Sequence, residues 1–195
     1  EKMETAYSSM MTNHTLADLM YAALEFIGSL EFSEEELAFA QEINDAFPGT
    51  NEDYAQKSVD YFKAAGEFEE LLLANKHLPL RGENFPAMDA QIIEKGATDV
   101  GDLSQVTPTG ALVTACFPTG SPGHSWANVA CGGMSIGHKG MLHAAKTMAL
   151  TALDLYSDPA HIQAARDEFN RKMGSRKYVC PIPEDIKPPR LEPKS

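Results

Sequence analysis

The chain has 195 residues, 43% of them apolar, with 28 acidic against 16 basic side chains and a formal charge of −12. That length and apolar share can bury a real core and exclude wholesale disorder. The acidic balance, with no Lys/Arg cluster to reverse it locally, repels phosphate backbones and argues against nucleic acid as a partner.

No apolar run reaches the roughly 20 residues that span a bilayer, so no membrane partner is expected. Glu1-Lys2-Met3-Glu4 is not a basic segment leading into an apolar one, and no signal peptide is expected. The sequence opens without Met inside an alternating stretch, which reads as a piece of a longer product. Cys116, Cys131 and Cys180 are odd in number and lie in no CxxC pattern. They read as buried, unreactive thiols of a protein in a reducing, cytoplasmic setting.

Residues 3–12 read as a short strand followed by a polar turn. Leu16, Met20, Ala23, Leu24 and Ile27 then recur at helical spacing, with Thr15-x-x-Asp18 as a capping-box-like start and Gly28 as a stop. Ser33-Glu34-Glu35-Glu36 is a full capping box opening a second helix, whose stripe is Leu37, Ala40, Ile43 and Phe47 before Pro48-Gly49. A helical stretch is expected over 51–74, and a surface loop over 75–90 with Pro79, Gly82 and Pro86.

Residues 109–117 (Thr-Gly-Ala-Leu-Val-Thr-Ala-Cys-Phe) read as a strand, small or apolar on both faces and therefore inside a covered sheet. A Gly/Pro-rich loop covers 118–125. The longest helix is predicted over about 136–156, burying Met141, Ala145, Met148, Ala152 and Leu155. Asp158-Pro159 starts a last helix that buries Ile162, Ala165 and Phe169. The tail from Cys180 is proline-rich. Strands among helices predict an α/β layered fold, and the small number of strands suggests that part of a larger sheet lies elsewhere.

Two loops could carry chemistry, since ligands of open α/β sheets sit outside the carboxyl ends of strands. In 95–104, Asp99 and Asp102 lie beside glycines that let a backbone approach a ligand, although Thr98 or Asp99 capping a short helix explains the same pattern. In 118–126, His124 stands between Gly123 and Ser125, where a neutral imidazole can ligate metal or titrate near pH 7, or simply face solvent. His138 and His143 are five apart and do not share the face that an i, i+4 metal pair needs. His138 falls in a helix's first turn, as a cap or at a crevice. The sequence has no HxH, HExxH or HxD pattern, and the glutamates at 34–36 and 69–70 read as solvated. A catalytic zinc needs three protein ligands and an open position, so the chain alone lacks the parts.

Four stretches together resemble the p-aminobenzoyl-glutamate hydrolase group within the aminoacylase and carboxypeptidase-G type metallopeptidases. They are Asn13 to Tyr21, Ala97 to Val106 with Thr-Asp-Val-Gly-Asp, Gly120 to Trp126 with Gly-His-Ser-Trp, and Ile136 through Pro183. The resemblance implies a two-domain enzyme, with a di-metal catalytic domain interrupted by a lid that often dimerises. Residues 1–12 would then be the last lid strand and 13–195 the C-terminal half of the catalytic domain. The implied fold is a three-layer α/β mixed sheet.

By the same resemblance His124 is the one metal ligand that follows the lid, and Thr98, Asp99 and His138 line the substrate. The general-base glutamate and the other ligands are expected in the N-terminal half, which acts as a partner, so no catalytic residue is assigned here. The cofactor implied is zinc, two per site, with manganese as the other option, bound weakly or not at all by this piece alone. The substrate is a small-molecule amide or dipeptide, with an amino acid such as glutamate as leaving group, and the parent enzyme is a homo-oligomer. The competing reading is a binding or assembly module that reuses the half-fold without hydrolysis.

Overall fold

The computed structural model describes residues 7–47, 54–63, 66–85, 96 and 98–186. Among them lie helices α1 (His14–Ile27), α2 (Glu34–Asp45), α3 (Tyr54–Phe62), α4 (Glu67–Ala74), α5 (Val100–Ser104), α6 (Trp126–Gly132), α7 (Ser135–Ser157) and α8 (Pro159–Met173). The described residues contain no β-strand, and the predicted α/β mixed sheet is corrected to an all-helical architecture. None of these helices is long and apolar enough to cross a membrane.

The missing strand has a physical cause. A β-prone segment becomes a strand only when a neighbour supplies the other half of the ladder and covers its faces. Residues 109–117 find no such neighbour among the described residues. Thr114 instead donates its hydroxyl to the Gly140 carbonyl of α7 at 2.9 Å, and Val113 stands 94% exposed. The strand expected at 3–12 also has no counterpart over 7–12, and residues 1–6 lie outside the described set.

The chain forms two compact units, and the division falls within α1 after Leu16. The first comprises Glu1–Leu16, Glu94–Gly110 and Pro159–Ser195. Here Asn13 rather than Thr15-x-x-Asp18 caps α1, its Oδ1 accepting the Leu16 N–H at 3.0 Å while its Nδ2 donates to the Ala165 carbonyl at 2.9 Å. Glu168 of α8 completes the cap. Its carboxylate accepts the His14 N–H at 2.7 Å, the Thr15 N–H at 2.9 Å and the Lys172 ammonium at 2.7 Å. Burial pushes Glu168 up, but these donors prevail and hold its pKa at about 2. A carboxylate at a helix N-terminus saturates N–H groups with no partner in the helix and opposes the helix dipole.

The second unit comprises Ala17–Ile93 and Ala111–Asp158. The Ser33 capping box is present as predicted, with the Glu36 N–H to Ser33 Oγ at 3.2 Å and the Ser33 N–H to Glu36 Oε2 at 2.7 Å. Glu36 is not solvated, however. It is buried and accepts the Lys139 ammonium of α7 at 2.6 Å. Its pKa, raised by burial, is brought down to about 2 by Lys139, the Ser135 hydroxyl and the Ser33 N–H.

Ala40, Leu80 and Ile136 form one core cluster, Ile43, Ala127 and Cys131 a second, and Val59, Phe68 and Leu72 a third. Leu80 and Arg81 are buried, so this part of the predicted surface loop belongs to the core; residues 86–90 of that loop lie outside the described set, as does Pro48-Gly49.

α7 buries a face roughly a third of a turn away from the one its sequence pattern predicts. Ile136, Gly137, Gly140, His143, Thr147 and Thr151 face inward, while Met141 and Met148 are each 59% exposed. Two local features permit this. Thr147 and Thr151 donate their hydroxyls to the carbonyls of His143 and Thr147, at 2.9 and 2.8 Å, and so enter the interior satisfied. The glycines let backbone approach: a Cβ at Gly140 would collide with the Ala115 carbonyl and lie 2.6 Å from Cys116 Sγ. Gly140→Ala should therefore destabilise the second unit by about 2 kcal/mol, read as a lowered urea midpoint with an unchanged slope. A midpoint equal to that of the parent chain would show that the 111–117 segment is not held against α7.

Candidate functional site

The loop 118–125 is anchored at its start and free at its tip. Pro118 is buried, and the Thr119 N–H donates to the Pro79 carbonyl at 2.9 Å. At the tip, His124 is exposed and adopts φ +56°, one of two non-glycine residues in the left-handed region among those described. That conformation costs an L-residue about 1–2 kcal/mol, and such strain persists where the surroundings enforce it, commonly at functional sites. Ser125 then turns the chain into α6, and Trp126 stacks on Phe47, just past the end of α2, with ring centroids 5.4 Å apart.

Polar atoms without partners surround this turn in the sequence. Among the described residues Ser121 Oγ, Ser125 Oγ and Asn128 Oδ1 are buried and find no hydrogen-bond partner, and neither do the two side-chain polar atoms of Asn44. Asn44 follows Ile43, which packs on Ala127 and Cys131 of α6. Buried polar groups are nearly always satisfied, so this stretch has hydrogen-bonding capacity in reserve. Sequence reasoning missed Asn44, for which no motif gave a signal.

The Thr98-Asp99-Val100-Gly101-Asp102 motif lies in the first unit, where most of it works as a clasp. Asp102 accepts the Ser8 N–H at 2.9 Å, and the Ser8 hydrogen bonds hold its carboxyl below the usual range. Ser104 Oγ accepts the Met11 N–H at 2.8 Å, and Gln105 Nε2 donates to the Ser9 carbonyl at 2.7 Å. A Cβ on Gly101 would collide with the Ser8 carbonyl, so the glycine serves the fold. Thr98 and Asp99 are the exposed end of the motif. Thr98 Oγ1 accepts the Val100 N–H at 3.3 Å, whereas Asp99 occupies the N-cap position of α5 without a side-chain capping bond.

His124 and His138 both belong to the second unit. His138 lies exposed in the first turn of α7, with its N–H bonded to the Met134 carbonyl at 3.1 Å. The described residues contain no group of three or more His, Cys, Asp or Glu side chains placed to hold a metal ion. Cys116, Cys131 and Cys180 are all free thiols; only Cys131 is buried, and Cys180 is exposed, contrary to the expectation of three buried thiols.

The second unit also holds an open cavity of about 490 Å³. Tyr54, Phe62, Phe68 and Phe85 give it aromatic walls, and residues 113–121 form a further wall that leads into the His124 turn. Arg81 shapes the rim. Its guanidinium donates to the Leu71 and Leu72 carbonyls at 2.6 and 3.0 Å and to Glu83, and lies 4.9 Å from the Phe85 ring centroid. His143, also a lining residue, is buried, and burial together with Lys146 lowers its pKa. Sequence spacing dismissed His143 as half of a metal pair and gave no signal for a cavity.

Over 193 residues, 98% of its length, the chain is 35% identical to one subunit of the p-aminobenzoyl-glutamate hydrolase of Escherichia coli (strain K12). The chain is similar to part of that hydrolase. It spans 40% of the length of the polypeptide it matches. The family resemblance read from the Thr-Asp-Val-Gly-Asp and Gly-His-Ser-Trp motifs is borne out by this match. No protein-family model matches the chain, and no solved structure matches it.

Proposed function

We propose that this chain is the C-terminal part of a metal-dependent amidohydrolase that cleaves an amide bond to an amino acid. The substrate would be of the aminobenzoyl-glutamate or acyl-amino-acid kind. The observation that carries the reading is the match of nearly the whole chain to a hydrolase polypeptide, joined to an exposed histidine held in a strained turn. The aromatic cavity whose wall leads into that turn suits an aromatic acyl group, because ligand clefts are mostly apolar with a few fixed polar groups.

In this reading His124 donates one imidazole to a zinc or manganese site whose remaining ligands belong to the rest of the enzyme. The donor set present fits that share and no more: one exposed imidazole, beside polar atoms with bonding capacity in reserve. The metal would polarise the scissile carbonyl and its attacking water. Thr98 and Asp99 would contact the substrate through a hydroxyl and a carboxylate at the exposed end of the clasp, and His138 would do so from the start of α7. The general-base glutamate lies in the remainder of the enzyme, so the piece alone is inactive. The relative is named as a subunit, and a companion subunit is proposed here as well. Three free cysteines support a cytoplasmic setting.

The test is a fusion in which this chain replaces the region it matches in the Escherichia coli hydrolase, produced with its companion subunit. Glutamate release from p-aminobenzoyl-glutamate is then measured with and without added zinc. Metal-dependent turnover by the fusion, against none by the chain alone, is the expected result. A folded fusion that binds the amide without hydrolysing it would replace this reading with the non-catalytic module.

A further inference from the structure

The cavity of the second unit is apolar, but its few polar groups are unequally occupied. Among the described residues its charged lining is Arg81 and Glu83, and these bond to each other. The guanidinium is further tied to the Leu71 and Leu72 carbonyls, so the walls carry no net charge and spare no cation for a ligand. Two neutral groups on the same lining are also engaged. Thr114 donates its hydroxyl to the Gly140 carbonyl, and Asn84 Nδ2 donates to the Leu24 carbonyl, each at 2.9 Å.

Ser58 of α3 and His143 of α7 are the exception. They line the cavity and are 7% and 6% exposed, so each is more than nine-tenths buried. The His143 carbonyl accepts the Thr147 hydroxyl, but among the described residues no hydrogen bond engages its ring or the Ser58 hydroxyl. Nor are their polar atoms closed off in the packing as those of Asn44 are. Buried polar groups are nearly always satisfied, and one that is not needs a reason. Burial and Lys146 hold the imidazole in its neutral form at pH 7. A neutral imidazole offers one donor and one acceptor, and a hydroxyl offers both.

A cleft of this size, with aromatic walls and two uncharged hydrogen-bonding groups in reserve, specifies a class of ligand. Resting on the reading in which the cavity takes the acyl group of an amide, we propose that it selects an uncharged aryl group and that Ser58 and His143 read the polar substituent on its ring. An ionised substituent is rejected, since it would leave water without meeting a counter-charge. The charged amino-acid end of the substrate therefore stays outside the cavity.

The test titrates the isolated chain with para-aminobenzamide, with para-toluamide, which has a methyl in place of the amine, and with para-carboxybenzamide. Binding is followed by NMR shifts of the amides of residues 113–121 and 143. The amine should bind about 10-fold more tightly than the methyl compound, and the carboxylate should not bind. With Ser58→Ala and His143→Phe together, the methyl compound should bind as before and the advantage of the amine should vanish. That variant should melt at or above the parent temperature, because apolar groups of similar shape no longer leave polar atoms unpaired. Should the double variant fail to fold, Ser58→Ala alone should reduce the advantage by roughly 3-fold.

A carboxylate that binds as well as the amine overturns the inference, and so does the absence of shifts at 113–121. Discrimination that survives both substitutions, with a lowered melting temperature, would make Ser58 and His143 part of the packing. Binding is read without turnover, which separates the two proposals. An inactive fusion beside a chain that binds and discriminates refutes the hydrolase reading and keeps the cavity, and an active fusion beside a chain that does neither refutes only the cavity.

Discussion

Replacing His124 with alanine should lower amide hydrolysis by the fused enzyme at least about 100-fold, since even residues that only orient a metal ligand are worth 10- to 100-fold. The chain's stability should not fall, because the His124 side chain is exposed and little packing is lost with it. A companion variant separates function from folding. In His124→Gly, relief of the left-handed conformation, about 1–2 kcal/mol, offsets the roughly 1 kcal/mol entropic penalty of glycine, so this chain should melt at or above the parent temperature while hydrolysis is lost. A variant that melts lower but keeps its turnover would make His124 a structural turn residue, and the proposed metal ligand would have to be sought elsewhere.

Replacing Glu168 with alanine should cost the first unit about 3 kcal/mol. The change strips charge-assisted bonds from two N–H groups at the start of α1, and each such bond contributes about 1.5–3 kcal/mol before compensation by water. For a chain of this size the melting temperature should fall by about 10 °C. The pH dependence has a definite sign. Glu168 titrates near 2 in the fold against an ordinary 4.5, so its contribution is complete above about 4.5 and is lost as pH falls from there toward 2. Glu36 behaves in the same way in the second unit. Urea midpoints measured between pH 7 and pH 3 should therefore drop steeply in the parent chain and less steeply in Glu168→Ala. A parent midpoint flat down to pH 3 would contradict both buried carboxylates.

What the sequence disclosed, and what it hid, divides along the range of the interactions involved. The α2 start was legible because Ser33 and Glu36 satisfy each other three residues apart, and the α1 stop because Gly28 takes φ +85° locally. Long-range partners were not legible. Glu36 reads as a solvated helix charge until α7 is placed against it, and no motif marks Glu168 as the cap of α1. The face of α7 was misplaced for a related reason: Gly137 and Gly140 encode how closely the backbone at Cys131 and Ala115 approaches, which an apolar stripe does not register. The strand at 109–117 carried true β propensity but no ladder partner among the described residues. At the candidate site, glycine and histidine in the 118–125 loop marked the turn, whereas the unsatisfied Asn44 and the cavity emerge only when helices meet.

The cap of α1 by Glu168 joins residues 154 positions apart. During synthesis at about 5–20 residues per second, the start of α1 would wait roughly 10–30 s for its counter-charge to leave the ribosome. Through that interval the first unit has its earliest segment but neither α5 nor α8 to fold against. A nascent chain stalled before Glu168 should therefore be readily cleaved around His14 by a protease, and extending it past α8 should close that site. The order of these segments along the chain holds this small unit open until α8 has emerged.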